Sequence, residues 1–422
     1  MTIKALYPTV RPTLNLDFAK TKALDPRVTY TRASTATFVG SNGLIQTAAS
    51  GAARFDHNPA TGESLGLLVE EARTNLVLYS EQFDDAYWIK SNATISANAA
   101  IAPDGALTAD LLYPNSSGSS RSIYKGVTGQ TNGALYTVSV YAKASDIRWI
   151  GLSSVRGNAG NDCVWFDLVD GTKGTQRGGA TGTIAAAGNG WYRCTVTQTS
   201  NTTTAFFGDL FLCDADNSFL VTANGTSGAL IWGAQIEAGS FPTSYIPTTS
   251  ATVTRAADVA SMTGANFSSW FNGNKKGTLF FNHDLTPETQ YASNTNSMIV
   301  AFADSIFSYG NVIGYWGSGT ARFLATNNYS ATPAEAYNSG NFPAYGVTLS
   351  NPGYDKYALA YTPGSGLSKA AINGVLLPAI DTPSAYIPTG LFFGGTHTQR
   401  IARLAFYPVR LPDAQLQAIT AT

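Results

Sequence analysis

Charge is what this sequence has least of. Asp, Glu, Lys and Arg make up 13% of its 422 residues, about half the ~25% usual in soluble domains. With a net charge of −1 and a single adjacent basic pair, Lys275-Lys276, it has no electrostatic footprint for nucleic acid. No apolar run approaches the ~20 residues that span a bilayer, so no membrane insertion is expected. The start, Met1 to Pro8, has one lysine and no apolar stretch behind it, and does not read as a secretory signal. Cysteine is scarce: Cys163, Cys194 and Cys213 are an odd number without metal-like spacing. They read as small reduced apolar residues on strands, not as a disulfide framework or a zinc site. His57, His283 and His397 are as few and lie in separate regions. None reads as a ligand set or a catalytic base.

Glycine, with 41 residues, and threonine, serine and asparagine supply the polarity instead. That mix suits β-structure with frequent turns. At 422 residues the chain can hold two or three domains, each with its own core. Residues 1–75 alternate short apolar runs with turn residues, as in Leu14-Asn15-Leu16-Asp17-Phe18. They are too poor in large apolar residues to fold alone and are expected to lie against a neighbouring domain, another subunit or a particle. Thr31-Arg32-Ala33 recurs as Thr254-Arg255-Ala256. Coincidence in a threonine-rich chain is one explanation, equivalent strands leading into a domain the other.

Residues 76–250 read as all-β. Val138, Val140 and Ala142 share one strand face, and Tyr192, Cys194 and Val196 another. Asp170-Gly171, Gly178-Gly179 and Gly188-Asn189-Gly190 mark turns between strands. From 251 to 422 a new pattern begins with Gly277-Thr278-Leu279-Phe280-Phe281. Asn373-Gly374 is a strong tight-turn signal, because both residues accept positive φ. Asp413 to Ile419 reads as a helix, with Leu416 and Ile419 on one face.

Two signatures bracket the middle module. The first runs Gly66-Leu67-Leu68-Val69-Glu70-Glu71-Ala72-Arg73-Thr74-Asn75-Leu76, followed by Tyr79-Ser80-Glu81-Gln82-Phe83 and Trp88. The second is Trp232-Gly233-Ala234-Gln235-Ile236-Glu237-Ala238-Gly239, then Thr243-Ser244-Tyr245-Ile246-Pro247-Thr248. Together they resemble proteins of tailed bacteriophages described as head spike or fibre proteins, in which a carbohydrate-binding-module-like jelly roll lies between such signatures. Arg32 to Thr37 and Asn42-Gly43-Leu44-Ile45 resemble the same family's N-terminal segment, and Phe166-Asp167-Leu168 and Asn189 to Cys194 its interior landmarks. The C-terminal pattern, with Leu391 to Gly395 and Ile401 to Tyr407, is similar to concanavalin A-like (laminin-G-like) sandwiches. The resemblance implies tandem antiparallel β-sandwiches, a jelly roll at 76–250 and a concanavalin A-like sandwich at 251–422, with an extended, attaching segment at 1–75. It also implies a virion surface protein, made in the bacterial host cytoplasm, with other virion proteins and host-surface glycans as partners and a trimer as the assembly.

Catalytic chemistry is harder to find. Glycosidases oppose two carboxyl groups across a sugar, whereas Glu70 and Glu71 are adjacent and point to opposite strand faces. Pairing of each with Arg73 or a neighbouring strand is the expected role. No nucleophile elbow is present, and no enzyme activity is expected. Asp214-Ala215-Asp216-Asn217 begins like a calcium loop, but Phe219 stands where the glycine belongs and no closing glutamate follows. No cofactor is expected, although sandwich lectin-like domains often carry a structural calcium. Sugar binding needs an aromatic face beside hydroxyl-reading groups. The candidates are Trp149 with Arg148, Trp165 beside Cys163 and Asp167, and Trp316 in a glycine-rich stretch. Alternation puts Ile150 and Leu152 on the core side, Arg148 with them and Trp149 opposite. Trp191 and Trp232 are assigned to the core, Trp88 and Trp270 to neither role. Four functions follow: a glycan-binding virion spike, a purely structural decoration or tail-fibre protein, a polysaccharide depolymerase, and a bacterial adhesin encoded in a prophage region.

Overall fold

The computed structural model describes residues 7–119, 121–153, 162–200, 204–271, 276–285, 300–303, 312–313, 322–323, 337–338, 354–362, 368–379, 389–393 and 398–421. The fold is all-β, and the sheets are antiparallel. The helices among the described residues are Phe18–Thr21, Gly264–Ser268 and Asp413–Thr420.

Residues 76–250 form a sandwich of two six-stranded sheets. The back sheet has the order Thr181–Ala186, Tyr192–Thr199, Leu135–Ala144, Ala229–Ala238, Leu107–Pro114, Ala93–Ile101. The front sheet runs Thr172–Gln176, Cys163–Asp167, Trp149–Ser153, Thr204–Cys213, Ser122–Thr128, Ile89–Ser91. Period-two alternation explains the core: Val138, Val140, Ala142, Cys194 and Val196 point forward to meet Ile150, Leu152, Val164, Phe166, Leu210 and Leu212. Each such large side chain, once buried, contributes roughly 1.5–3 kcal/mol. The outer side of the back sheet is covered too, by an aromatic cluster of Tyr141, Trp191, Trp232 and Tyr245. The three cysteines are free and buried, and burial pushes the Cys163 thiol up to about 12.

The second sandwich packs an eight-stranded sheet on a five-stranded one. Its centre is the strand Gln399–Tyr407, which pairs with Gly277–Leu285 on one side. On the other it pairs with two pieces of the N-terminal segment, Leu14–Asp17 and Ser64–Val69. Arg54–His57 extends the eight-stranded sheet, and Thr29–Thr31 joins the five-stranded one through Val259–Thr263. Leu14, Leu16, Phe18, Leu67 and Val69 thereby enter the same core as Met262, Phe281, Leu391 and Phe406. Strands Leu14–Asp17, Thr29–Thr31, Arg54–His57 and Ser64–Val69 thus belong to the sheets of the second sandwich. Asn373 and Gly374, at φ 46° and 82°, make the tight turn that brings Ile372 opposite Val375. Leu416 of the last helix is buried against Phe280, Ala358 and Tyr407.

A buried ionic cluster ties these parts together. Glu70 lies 2.7 Å from Arg54 and 3.4 Å from Arg255, and accepts bonds from Ser244 N and Oγ at 2.7 and 2.6 Å. Asp258 pairs with Arg54 at 2.5 Å and Arg32 at 3.1 Å, and accepts the Tyr30 hydroxyl. The two Thr-Arg-Ala repeats thus deliver their arginines, Arg32 and Arg255, to one cluster. Burial alone would raise the Glu70 carboxyl, but Arg255, Arg54 and the Ser244 donors outweigh it and hold it well below the usual carboxylate range.

Candidate functional site

The candidate site lies on the outer face of the front sheet. On Trp149–Ser153, Ile150 and Leu152 turn into the core, which leaves Trp149 and Gly151 facing outward. The register sets Trp149 opposite Asp167 and Cys213, and Gly151 opposite Trp165 and Phe211. A Cβ at Gly151 would overlap the Phe211 ring, so glycine there lets the phenyl lie across the strand. The result is a second apolar cluster outside the sandwich core: Cys163, Trp165, Phe211 and Cys213, with Trp149 and Phe219 at its margin.

Trp165 is not an exposed platform. It is 0% exposed, and its Nε1 donates to Ser218 O at 2.7 Å. Phe219 packs against its ring at 5.1 Å, and the Arg177 guanidinium lies 5.0 Å from the ring centre. It faces away from the sandwich core, but the turn at 214–219 roofs it over. Trp149, packed at the margin of the same cluster, remains half-buried. Among the described residues the other tryptophans, Trp88, Trp165, Trp191, Trp232 and Trp270, are all 4% exposed or less. Trp316 and His397 lie outside the described residues.

Arg148 departs from the expected alternation. The strand begins at Trp149, and Arg148 sits just before it with its side chain 45% exposed. A guanidinium cannot enter the core unpaired. Instead it turns to Asp167, with Nε donating at 2.9 Å, and to Asp170. Beside this pair, Asp216 accepts from Thr175 N and Oγ1, both at 2.8 Å. A side chain at Gly174 would collide with Asp216 and lie 2.8 Å from the Trp149 ring, so that glycine keeps indole and carboxylate close. The site is thus an indole edge flanked by a guanidinium and three carboxylates. Asp167, Asp170 and Asp216 are members that alternation alone did not mark. The signal for the first two was their place at the Asp170-Gly171 turn facing Arg148 across the register.

The acidic run at 214–217 divides its carboxylates between two partners. Asp216 is committed to Thr175, while Asp214 accepts from Thr222 N and Oγ1 at 3.2 and 3.0 Å, so their carboxylates serve different partners. Groups of three or more His, Cys, Asp or Glu able to hold a metal are absent among the described residues. Glu70 and Glu71 separate as their adjacency demands, Glu70 to the buried cluster and Glu71 to Arg73. His283 is buried and lies beside the rings of Phe281 and Tyr357, at 5.1 and 5.0 Å.

The two signatures are each other's partners. Asn75 donates to Ala234 O and Ile246 O at 3.1 and 2.8 Å, and its Oδ1 accepts Ile236 N at 3.1 Å. Ser80 and Tyr245 share a 2.6 Å hydrogen bond, and Gln235 Oε1 accepts Ile246 N at 2.7 Å. Their polar residues close the end of the jelly roll.

No family model and no curated protein matches the sequence. Solved structures give faint likenesses. Tailspike protein 4 of bacteriophage CBA120, its enzymatically active domain, is 12% identical over 38% of this chain and 21% of its own, with a TM-score of 0.24. Domain 4 of an extracellular arabinanase from Geobacillus stearothermophilus, in complex with arabinotriose, is 11% identical over 43% of this chain and 82% of its own, with a TM-score of 0.22. Tandem CBM22 domains of a Paenibacillus barcinonensis protein are 8% identical over 79% of this chain and 97% of their own, with a TM-score of 0.23. Scores this low do not establish a shared overall fold.

Proposed function

We propose that this chain is a non-enzymatic structural protein of a tailed-phage virion surface, a head spike or fibre, that binds host glycan through Trp149 and Arg148. The observation that carries the glycan reading is the partial exposure of Trp149, where the other described tryptophans are buried, beside charged groups able to read hydroxyls. The virion assignment draws on the resemblance at Gly66 to Leu76 and Trp232 to Thr248. Both carboxylates of the first signature are paired with arginines, Glu70 with Arg54 and Glu71 with Arg73. A single shallow site binds weakly. Several copies in a trimer, and several spikes on one particle, would convert it to useful avidity.

A glycan array probed with the full chain tests this. Saturable binding is expected, weakened at least about tenfold, or ~1.4 kcal/mol, in Trp149→Ala, with unchanged thermal stability. Binding indifferent to that substitution overturns the site. Absence of any binding leaves the purely structural role, and release of reducing ends from host polysaccharide replaces both with a depolymerase.

A further inference from the structure

A cleft of about 590 Å³ opens where the two signatures meet, at the foot of the jelly roll. One wall is the ribbon of Arg73–Asn75 paired with Val253–Arg255, on which Thr74 and Thr254 share a 2.8 Å hydroxyl contact. The opposite wall is the end of the back sheet, with Leu135, Tyr136 and Ser240. Between them the Arg73 guanidinium lies 4.9 Å from the centre of the Phe241 ring and pairs with Glu71. Gly239, at φ 132°, has no side chain because a Cβ there would fall on that guanidinium. Arg73 is therefore held flat by a ring, a glycine and a carboxylate. Its Nε has no hydrogen-bond partner among the described residues.

We infer that this cleft is a second saccharide site, for a neutral, hydroxyl-rich sugar unit. The volume is that of a small-molecule pocket, and its walls stand on paired strands, so little ordering is needed on binding. An ion pair already balanced inside the cleft disfavours a charged ligand, which would leave one partner beside a like charge. Sugar hydroxyls instead donate to Glu71 and accept from Arg73 at once, while Leu76 and Leu135 offer apolar surface to the C–H face. The inference shares its ligand class with the glycan-binding reading but uses none of the residues around Trp149.

The test uses the full chain and saturation-transfer NMR, with lactose and N,N′-diacetylchitobiose as neutral probes and 3′-sialyllactose as an anionic one. Trp149→Ala removes the front-sheet site. Thr254→Trp, at an exposed lining position, fills the cleft, and Ala238→Phe fills it from the other wall should the first variant misfold. Neutral disaccharide binding is expected to persist in Trp149→Ala and to weaken at least about tenfold when a filling substitution is added. Complete loss in Trp149→Ala alone overturns the cleft and leaves the front-sheet site standing. Indifference to a folded filling variant, binding of the sialylated probe alone, or no binding of any probe also overturns it.

Discussion

Glu70 and Glu71 show how much turns on one residue step. Strand geometry sends neighbours to opposite faces, so one carboxylate is entombed among arginines and the other opens on a cleft. Glu70 should matter for stability in proportion to its isolation from water. Its folded pKa lies below the unfolded value of ~4.3, so its contribution is complete above that pH and is lost as pH falls towards the folded value. Glu70→Gln leaves Arg54 and Arg255 short of a counter-charge, and should cost about 3–5 kcal/mol at pH 7 in urea unfolding. The deficit should shrink by about 1–2 kcal/mol by pH 3, and a deficit independent of pH would contradict the ionised state. Trp149 and Trp165 differ for another reason. Both face outward on neighbouring strands, and the packing of Phe219 and Arg177 buries Trp165 while Trp149 stays half-buried.

Among elements, Ser64–Val69 is the most exacting. Gly66 sits at φ 90°, and a Cβ there would fall on the Ile401 carbonyl of the last strand. Glycine opening the first signature is therefore a condition for strand pairing. Gly66→Ala combines a disfavoured backbone with a backbone collision and should cost about 2–4 kcal/mol. Hydrogen exchange should show the amides of 64–69 and 399–407 losing protection while those of 135–144 keep theirs. Equal loss in both sandwiches would refute so local a role. Other elements were legible from local chemistry. The Asn373-Gly374 turn, the Asp413–Thr420 helix and the alternation of Leu14–Asp17 all appear where sequence placed them. The short helices Phe18–Thr21 and Gly264–Ser268 had no such signal, at 4 and 5 residues too short to show a period.

At the scale of the molecule, the N-terminal strands belong to the sandwich formed by the far end of the chain. A fragment covering 251–422 would lose Leu14, Leu16, Phe18, Leu67 and Val69 from its core and bare one edge of its central strand. It should show no cooperative thermal transition and should bind hydrophobic dye. Joining residues 1–75 to it should restore the transition, while 76–250 should unfold cooperatively by itself. A cooperative 251–422 fragment would overturn this dependence.

Sequence alone determined the all-β class, the core faces of strands such as Leu135–Ala144 and Tyr192–Thr199, the turns and the last helix, because those follow from side-chain period and backbone preference within a few residues. Tertiary structure decided that Leu14 faces Phe406, that Arg32, Arg54 and Arg255 meet Glu70 and Asp258, and that Arg148 turns to Asp167 while Trp149 stays half-buried. Backbone hydrogen bonds are the same for every strand, so partner choice and the cover over an outward face emerge only when distant segments compete for the same core.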